Sequence, residues 1–273
     1  MIHVEAHGAR IPAIGLGTWQ LDGDVARRMV GYALEVGYRH IDTAQMYGNE
    51  AEVGVAVASS GVPRDDVWLT TKIWPDNFRA GALQRAAEQS VRRLRTEPDL
   101  LLLHWPNPNV PLKETIAALN EVKRRGLARH IGISNFTVAL IREALALSEE
   151  PLVVDQVEYH PFLDQQAVLA EVRANGMALI AYSPLAKGRV FNDPTLKRIG
   201  ARHGKNSGQV TLRWLIQRDG VAAIPRSSRE AHAKANLEIF DFALSEAEMA
   251  EISALAHPGG REVDVAGFAP RWD

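Results

Sequence analysis

A closed (β/α)8 TIM barrel is the fold class this chain predicts, and three observations point to it. Short apolar runs rich in leucine and β-branched residues recur eight times, each followed by a longer amphipathic stretch, as successive parallel βα units require. The length of 273 residues suits a barrel of this kind, which commonly needs about 250. Polar side chains stand at the ends of nearly all the runs, where such barrels keep their chemistry. No linker, low-complexity segment or strict repeat divides the chain, so one domain spanning 1–273 is expected.

The elements follow in order. Strands are expected at 14–17, 38–42, 67–73, 100–104, 130–134, 153–157, 178–182 and 221–225. Between them lie helical patterns at 25–35, 80–95, 112–125, 138–147 and 165–174, several ending near Gly37, Gly126 and Gly176 as C-terminal caps do. Residues 2–7 and 10–13, joined around Gly8, read as an N-terminal β-hairpin that closes the barrel floor. Two helical patterns, 194–203 and 208–218, stand where one would suffice, which adds a helix. Another begins at Ser245, with Glu248 three residues on in a capping box. Residues 257–273 carry glycines and prolines and read as a tail.

Composition narrows the function. Thirty-one Lys and Arg against 33 Asp and Glu give a net charge of −2, which offers no field to hold nucleic acid or an anionic membrane. The absence of cysteine excludes disulfides, thiolate nucleophiles and Cys-ligated metals. His3 and His7 are spaced by four but sit in the hairpin without a Glu-rich helix, so no metal site is expected. Met1-Ile2-His3-Val4-Glu5 has no basic segment leading into an apolar core, and no apolar run approaches about 18 residues, so a cytoplasmic location is expected.

The strand ends can be tested one by one. Asp42 ends the second run and leads to Tyr47; Lys72 lies in the third; His104 ends the fourth; Ser134-Asn135 follow the fifth. Gln156 ends the sixth, Tyr182-Ser183 the seventh, and Arg226-Ser227 follow the eighth. A lone aspartate at such a position serves loop amides as readily as chemistry, and a lone histidine is often a satisfied core residue. Their convergence is what counts. Lys72 is flanked by apolar or uncharged residues and needs a buried partner, for which Asp42 is the natural choice. An ammonium beside the Tyr47 phenol favours the phenolate, so the Tyr47 pKa is expected below its reference of about 10, making a useful general acid. His104 can then donate a hydrogen bond to a substrate carbonyl.

Gly15-Leu16-Gly17-Thr18-Trp19, Asp42-Thr43-Ala44 with Tyr47-Gly48-Asn49-Glu50, Thr71-Lys72, His104-Trp105-Pro106 and Gly132-Ile133-Ser134-Asn135-Phe136 resemble, in order, the signatures of the aldo-keto reductase superfamily. So do Gln156, Ala181-Tyr182-Ser183-Pro184-Leu185 and Ile224-Pro225-Arg226-Ser227, and the match spans almost the whole chain. Gly267-Phe268-Ala269-Pro270-Arg271-Trp272-Asp273 further resembles a bacterial branch that acts on diketo-sugar acids. The resemblance implies reduction of a small carbonyl by NADPH, with Tyr47 as acid, Lys72 and Asp42 tuning it, and His104 orienting substrate. It also implies that Ser134, Asn135 and Gln156 hold the nicotinamide carboxamide and that Tyr182 stacks on its ring. Ser183 and Leu185 join that cofactor set, Arg226 and Ser227 meet the 2′-phosphate, and Asn236 meets adenine. Many relatives have a second arginine where this chain has His232, which lacks a guanidinium's permanent charge, so NADH should be accepted better than in those relatives.

Trp19, Met46, Trp74 and Trp105 are expected to wall the substrate pocket, with Trp272 a further candidate on the same barrel face. The loops at 106–111 and 185–194 are short, which implies an open, shallow and tolerant pocket; its substrates, as the resemblance implies, are aldehydes, ketones, dicarbonyls or keto-sugar acids such as 2,5-diketo-D-gluconate. A monomer is expected. The rival readings are a nucleotide-binding redox sensor or regulatory barrel with vestigial catalysis, and a cofactor-independent isomerase. The first has no need of Asp42, Tyr47, Lys72 and His104; the second has none of Asn135, Gln156 and Arg226. Gly15-Leu16-Gly17 lacks the third glycine of a Rossmann fingerprint, and that fold is rejected.

Overall fold

A computed structural model of the chain describes residues 2–273. It opens with β1 (His3–Ala6) and β2 (Ala9–Pro12), an antiparallel pair in which His3 faces Pro12 and Ala6 faces Ala9. His7 and Gly8 both adopt positive φ, at 47° and 81°, as a two-residue primed turn demands. The His7 ring meets Asn175 O at 2.8 Å, next to the start of a later barrel strand, so the hairpin lies across the N-terminal floor as expected.

The barrel runs from β3 (Leu16–Gly17), α1 (Gly23–Glu35), β4 (His40–Asp42) and α2 (Glu50–Ser59) to β5 (Trp68–Ile73), α3 (Ala82–Leu94), β6 (Leu100–Leu103) and α4 (Leu112–Arg124). It continues through β7 (His130–Ser134), α5 (Val138–Leu147), β8 (Leu152–Glu158), α6 (Gln166–Ala174) and β9 (Ala178–Tyr182). After β9 come two helices, α7 (Pro194–His203) and α8 (Ser207–Ile216), before β10 (Val221–Ala223), α9 (Glu230–Leu237) and α10 (Glu246–Ser253). The extra helices are where the sequence puts them. α10 starts at its capping box, with the Ser245 hydroxyl accepting from Glu248 N and the Glu248 carboxylate from Ser245 N.

Each strand from β3 to β10 pairs in parallel with the next. The seam between β10 and β3 is closed by bridges Ile14–Ala223 and Gly17–Arg226, with Gly17 N donating to Pro225 O at 3.1 Å. Glycine is needed at this seam, because a Cβ on residue 17 would stand 2.8 Å from Ile224 O. Strands covered on both faces read as continuous apolar runs, and Leu100 to Leu103 are all fully buried. Several strands are shorter than the apolar runs predict: β3 begins at Leu16 rather than 14, and β10 ends at Ala223 rather than 225. At the seam only isolated bridges continue the ladder. Among the described residues no helix is long and apolar enough to cross a membrane.

Candidate active site

The C-terminal ends of β4 and β5 set the centre. Asp42 pairs in register with Thr70, and the two-residue period of β5 puts Lys72 on the same inward face. Lys72 and Asp42 are each only 1% exposed, and a lysine at that depth needs compensation on every donor. It has it. Lys72 Nζ donates to Asp42 Oδ1 at 2.5 Å, to Thr43 O at 2.9 Å and to the Tyr47 hydroxyl at 3.3 Å. Tyr47 stands on a short 3-10 turn, Gln45–Tyr47, closed by Gly48 at φ 70°. The structure thus brings Asp42, Tyr47 and Lys72 together as the sequence predicts, and the His104 ring stands 5.7 Å from that of Tyr47.

One electrostatic expectation is corrected. Burial raises the Tyr47 pKa above 10; the attraction of Lys72 works downward but is outweighed, and Asp42 adds to the rise. The ammonium therefore limits the rise instead of setting the direction. For Lys72 itself burial works downward, yet the Asp42 and Tyr47 partners leave its pKa above the ordinary lysine value, so it stays charged. Burial, reinforced by the Lys72 charge, holds His104 well below the ordinary histidine range, and the ring is neutral at pH 7. Its Nδ1 is buried without a hydrogen-bond partner.

Four of the residues expected at the cofactor, Ser134, Asn135, Gln156 and Tyr182, form a connected chain, joined by the Asn135 Nδ2 bond to Ser134 Oγ at 3.1 Å. Gln156 Nε2 donates to Asp42 Oδ2 at 2.8 Å, and Ser134 Oγ donates to Gln156 O at 2.7 Å. Asn135, at φ 65°, donates from Nδ2 to His104 O and accepts the Tyr182 hydroxyl at Oδ1, at 2.9 and 2.7 Å. Ser183 takes φ 47° just beyond β9, and half-buried Leu185 packs on the core. Ser227 Oγ donates to Arg229 O and accepts Arg229 N, tying the turn that leads into α9. His232 is exposed on α9 and Asn236 is buried one turn further along. The exposed Arg226 guanidinium donates to Trp19 O and Gln20 O at 3.2 and 3.0 Å.

Two of the expected aromatic walls face this centre. Trp19 lies 4.9 Å from Tyr47 and Trp74 lies 5.3 Å from His104, ring to ring. Trp105 is buried against Trp272 at 6.0 Å, and Met46 is exposed beside Tyr47. The tail adds to the walls beyond the short loops. Phe268 packs edge-on against Trp74 at 5.6 Å, and Arg261 covers the Trp272 ring at 3.5 Å. Fully buried Glu158 at the end of β8 fixes the tail by accepting the amides of Glu262 and Val263 at 2.7 and 3.0 Å. Asp273 Oδ2 accepts Val138 N at the start of α5. Sequence reasoning missed Glu158 and Phe268; the available signal for Glu158 was a further charged residue closing the run after Asp155 and Gln156, on a strand buried at every position. A cavity of about 640 Å3 lies elsewhere along the tail, between Phe136, Leu163, Gln165 and Trp272. None of Asp42, Tyr47, Lys72 and His104 lines it, so the chemistry is assigned to the strand ends and not to that cavity.

An eight-stranded parallel barrel with a buried lysine–aspartate pair, a tyrosine and a neutral histidine at its C-terminal mouth defines a class of barrel enzymes working by proton transfer. The family model for the aldo/keto reductase family matches residues 13–257, and the chain belongs to that family; it is an oxidoreductase. It is 42% identical over 267 residues to methylglyoxal reductase DkgB of Escherichia coli O157:H7, covering 96% of this chain and 99% of the relative. A solved structure carrying the provisional name 2,5-diketo-D-gluconic acid reductase B superposes with a TM-score of 0.98 at 52% identity, covering 100% of this chain and 98% of the other. The Bombyx mori aldo-keto reductase in complex with NADP superposes with a TM-score of 0.90 at 32% identity, covering 97% and 95%.

Proposed function

We propose that this chain is an NADPH-dependent reductase of small carbonyl compounds, with dicarbonyls of the methylglyoxal type and keto-sugar acids as its substrate classes. The observation that carries the reading is the Lys72 ammonium shared between Asp42 and the Tyr47 hydroxyl beside a neutral His104. The polar strand ends suit a nicotinamide dinucleotide in their chemistry: amide side chains at Asn135 and Gln156, a flat ring at Tyr182, and an exposed guanidinium at Arg226. When bound, the reduced cofactor supplies the hydride. Tyr47 supplies the proton to the carbonyl oxygen, and its raised pKa keeps the phenol protonated at neutral pH. Lys72 keeps that rise in check, and Asp42, also held by Gln156, keeps Lys72 charged and in place.

Neutral His104 has one N–H to give. Its buried Nδ1 lacks an acceptor, which favours the tautomer with the proton on Nε2, available to orient the carbonyl. Trp19, Trp74 and Phe268 contribute apolar walls around the reacting group.

The test is Tyr47→Phe, which removes only the transferable proton. We expect kcat to fall at least ~100-fold, within the usual worth of general acid catalysis, while the cofactor dissociation constant stays the same. Near-normal turnover in the variant would reject Tyr47 as the acid.

A further inference from the structure

The turn that carries Trp19 is held by side chains at four consecutive carbonyls. From below, Asn49 Nδ2 donates to Thr18 O at 2.9 Å and to Leu21 O at 2.6 Å, and Asn49 Oδ1 is itself fixed by the Thr43 hydroxyl at 2.6 Å. From the outer side, Arg226 Nε donates to Trp19 O and Nη2 to Gln20 O. The turn needs both braces, because Gln20 adopts φ 56°, a left-handed conformation that side chains other than glycine rarely take. The braces differ in one respect. Asn49 is fully buried, out of reach of any ligand, whereas Arg226 is exposed. A guanidinium has five N–H donors in one plane; one edge of this one grips the turn, and Nη1 lies on the other side, 3.4 Å from Ser228 Oγ.

We infer that Arg226 is a specificity-determining residue for the carbonyl substrate as well as for the cofactor. This rests on the reading above, in which Arg226 takes the 2′-phosphate. Phosphate bound at the Nη1 side immobilises a guanidinium whose opposite edge already holds Trp19 O and Gln20 O. Trp19, 45% exposed and with its ring 4.9 Å from that of Tyr47, is thereby fixed beside the reacting side chain. With an unphosphorylated cofactor the Nη1 side stays open to water, so the same two contacts to Trp19 O and Gln20 O are made by a less firmly held guanidinium and the turn is braced less tightly. Linkage makes the effect mutual: a substrate that packs on Trp19 tightens the hold on the phosphate by the same factor.

The experiment compares wild type with Arg226→Lys, which keeps a positive charge for the phosphate but lacks the planar fork that spans two carbonyls. Hydrogen exchange of residues 18–21 is followed with the probes adenosine 2′,5′-bisphosphate and adenosine 5′-monophosphate, each at saturation. Exchange in the wild type is expected to slow more with the bisphosphate than with the monophosphate, and to be the same with both in Arg226→Lys. In turnover, the KM of a given carbonyl is expected about fivefold lower with NADPH than with NADH in the wild type, and equal with the two cofactors in the variant. A bisphosphate that binds more weakly to Arg226→Lys yet slows residues 18–21 no more than the monophosphate in the wild type overturns the coupling and leaves the phosphate assignment standing. A bisphosphate that binds wild type no better than the monophosphate overturns both.

Discussion

Lys72 meets three obligations with one ammonium: it neutralises Asp42, caps Thr43 O and donates to the Tyr47 hydroxyl. Replacing it with Met keeps much of the volume but leaves a buried carboxylate with only Gln156 as donor, which costs about 3–5 kcal/mol when one partner of a buried pair is removed. The Tyr47 pKa, already raised by burial, loses its main downward influence and rises further. In the wild type, reduction should therefore be level through neutral pH and fall only above about 10, where the phenol deprotonates. In the reverse direction, where the phenolate must accept a proton, the pH at which alcohol oxidation sets in should move upward in Lys72→Met. The pH–rate profile of a variant shown to be folded by circular dichroism checks this; an unmoved profile would break the link between Lys72 and Tyr47. The identity of these residues was legible because charged or phenolic side chains ending apolar runs need partners. The direction of the Tyr47 shift was not, since it depends on how deeply the hydroxyl is buried, and that depth is a property of the packed fold.

The tail is the element least legible in the sequence. Residues 257–273 have no helical or strand period, so nothing local reveals that Phe268 reaches Trp74 or that Trp272 reaches Trp105. Its position is set by long-range hydrogen bonds to Glu158, 104 and 105 residues away in sequence. Glu158→Leu removes both acceptors and strands two backbone amides, while Glu158→Gln keeps one acceptor oxygen. Limited proteolysis should then cut residues 261–273 fastest in the leucine variant and at an intermediate rate in the glutamine variant. The KM for carbonyls should rise in the same order, by several-fold, with little change in kcat, because the tail walls the pocket and does not touch the proton path. Equal protease resistance in all three proteins would show that the tail is held by its aromatic contacts instead. By contrast, β6 and α10 were readable, one from four consecutive leucines and the other from Ser245 and Glu248, because their signals are local.

At the scale of the whole molecule, eight repeats of an apolar run and an amphipathic stretch left little freedom in the topology, since parallel neighbours joined by helices close naturally into a barrel. The ladder at the closing seam, reduced to isolated bridges at Gly17 and Ile14, depends on pairing across more than 200 residues and was not readable in the same way. Stability carries its own test in Asp155, a fully buried aspartate on β8. Its carboxylate oxygens have no full hydrogen bond, and burial holds its pKa well above the ordinary value, with the nearby Phe136 amide offsetting only part of the rise. Below the ordinary aspartate pKa both folded and unfolded chains are protonated there. As pH rises, the unfolded chain ionises first, so stability falls until the raised folded pKa is passed. Asp155→Asn should therefore gain about 1–3 kcal/mol over wild type near neutral pH and much less near pH 4, by chemical denaturation at both values. A difference independent of pH would show that the carboxyl ionises as readily in the folded chain as in the unfolded one. The account as a whole is tested most directly by following nicotinamide absorbance with the intact protein, supplying NADPH or NADH to a panel of dicarbonyls, keto-sugar acids, aldehydes and activated ketones. It predicts consumption of NADPH with several of them, a slower rate with NADH, and a wider gap between the two in His232→Arg. No consumption with any carbonyl, or a wild-type preference for NADH, would contradict it.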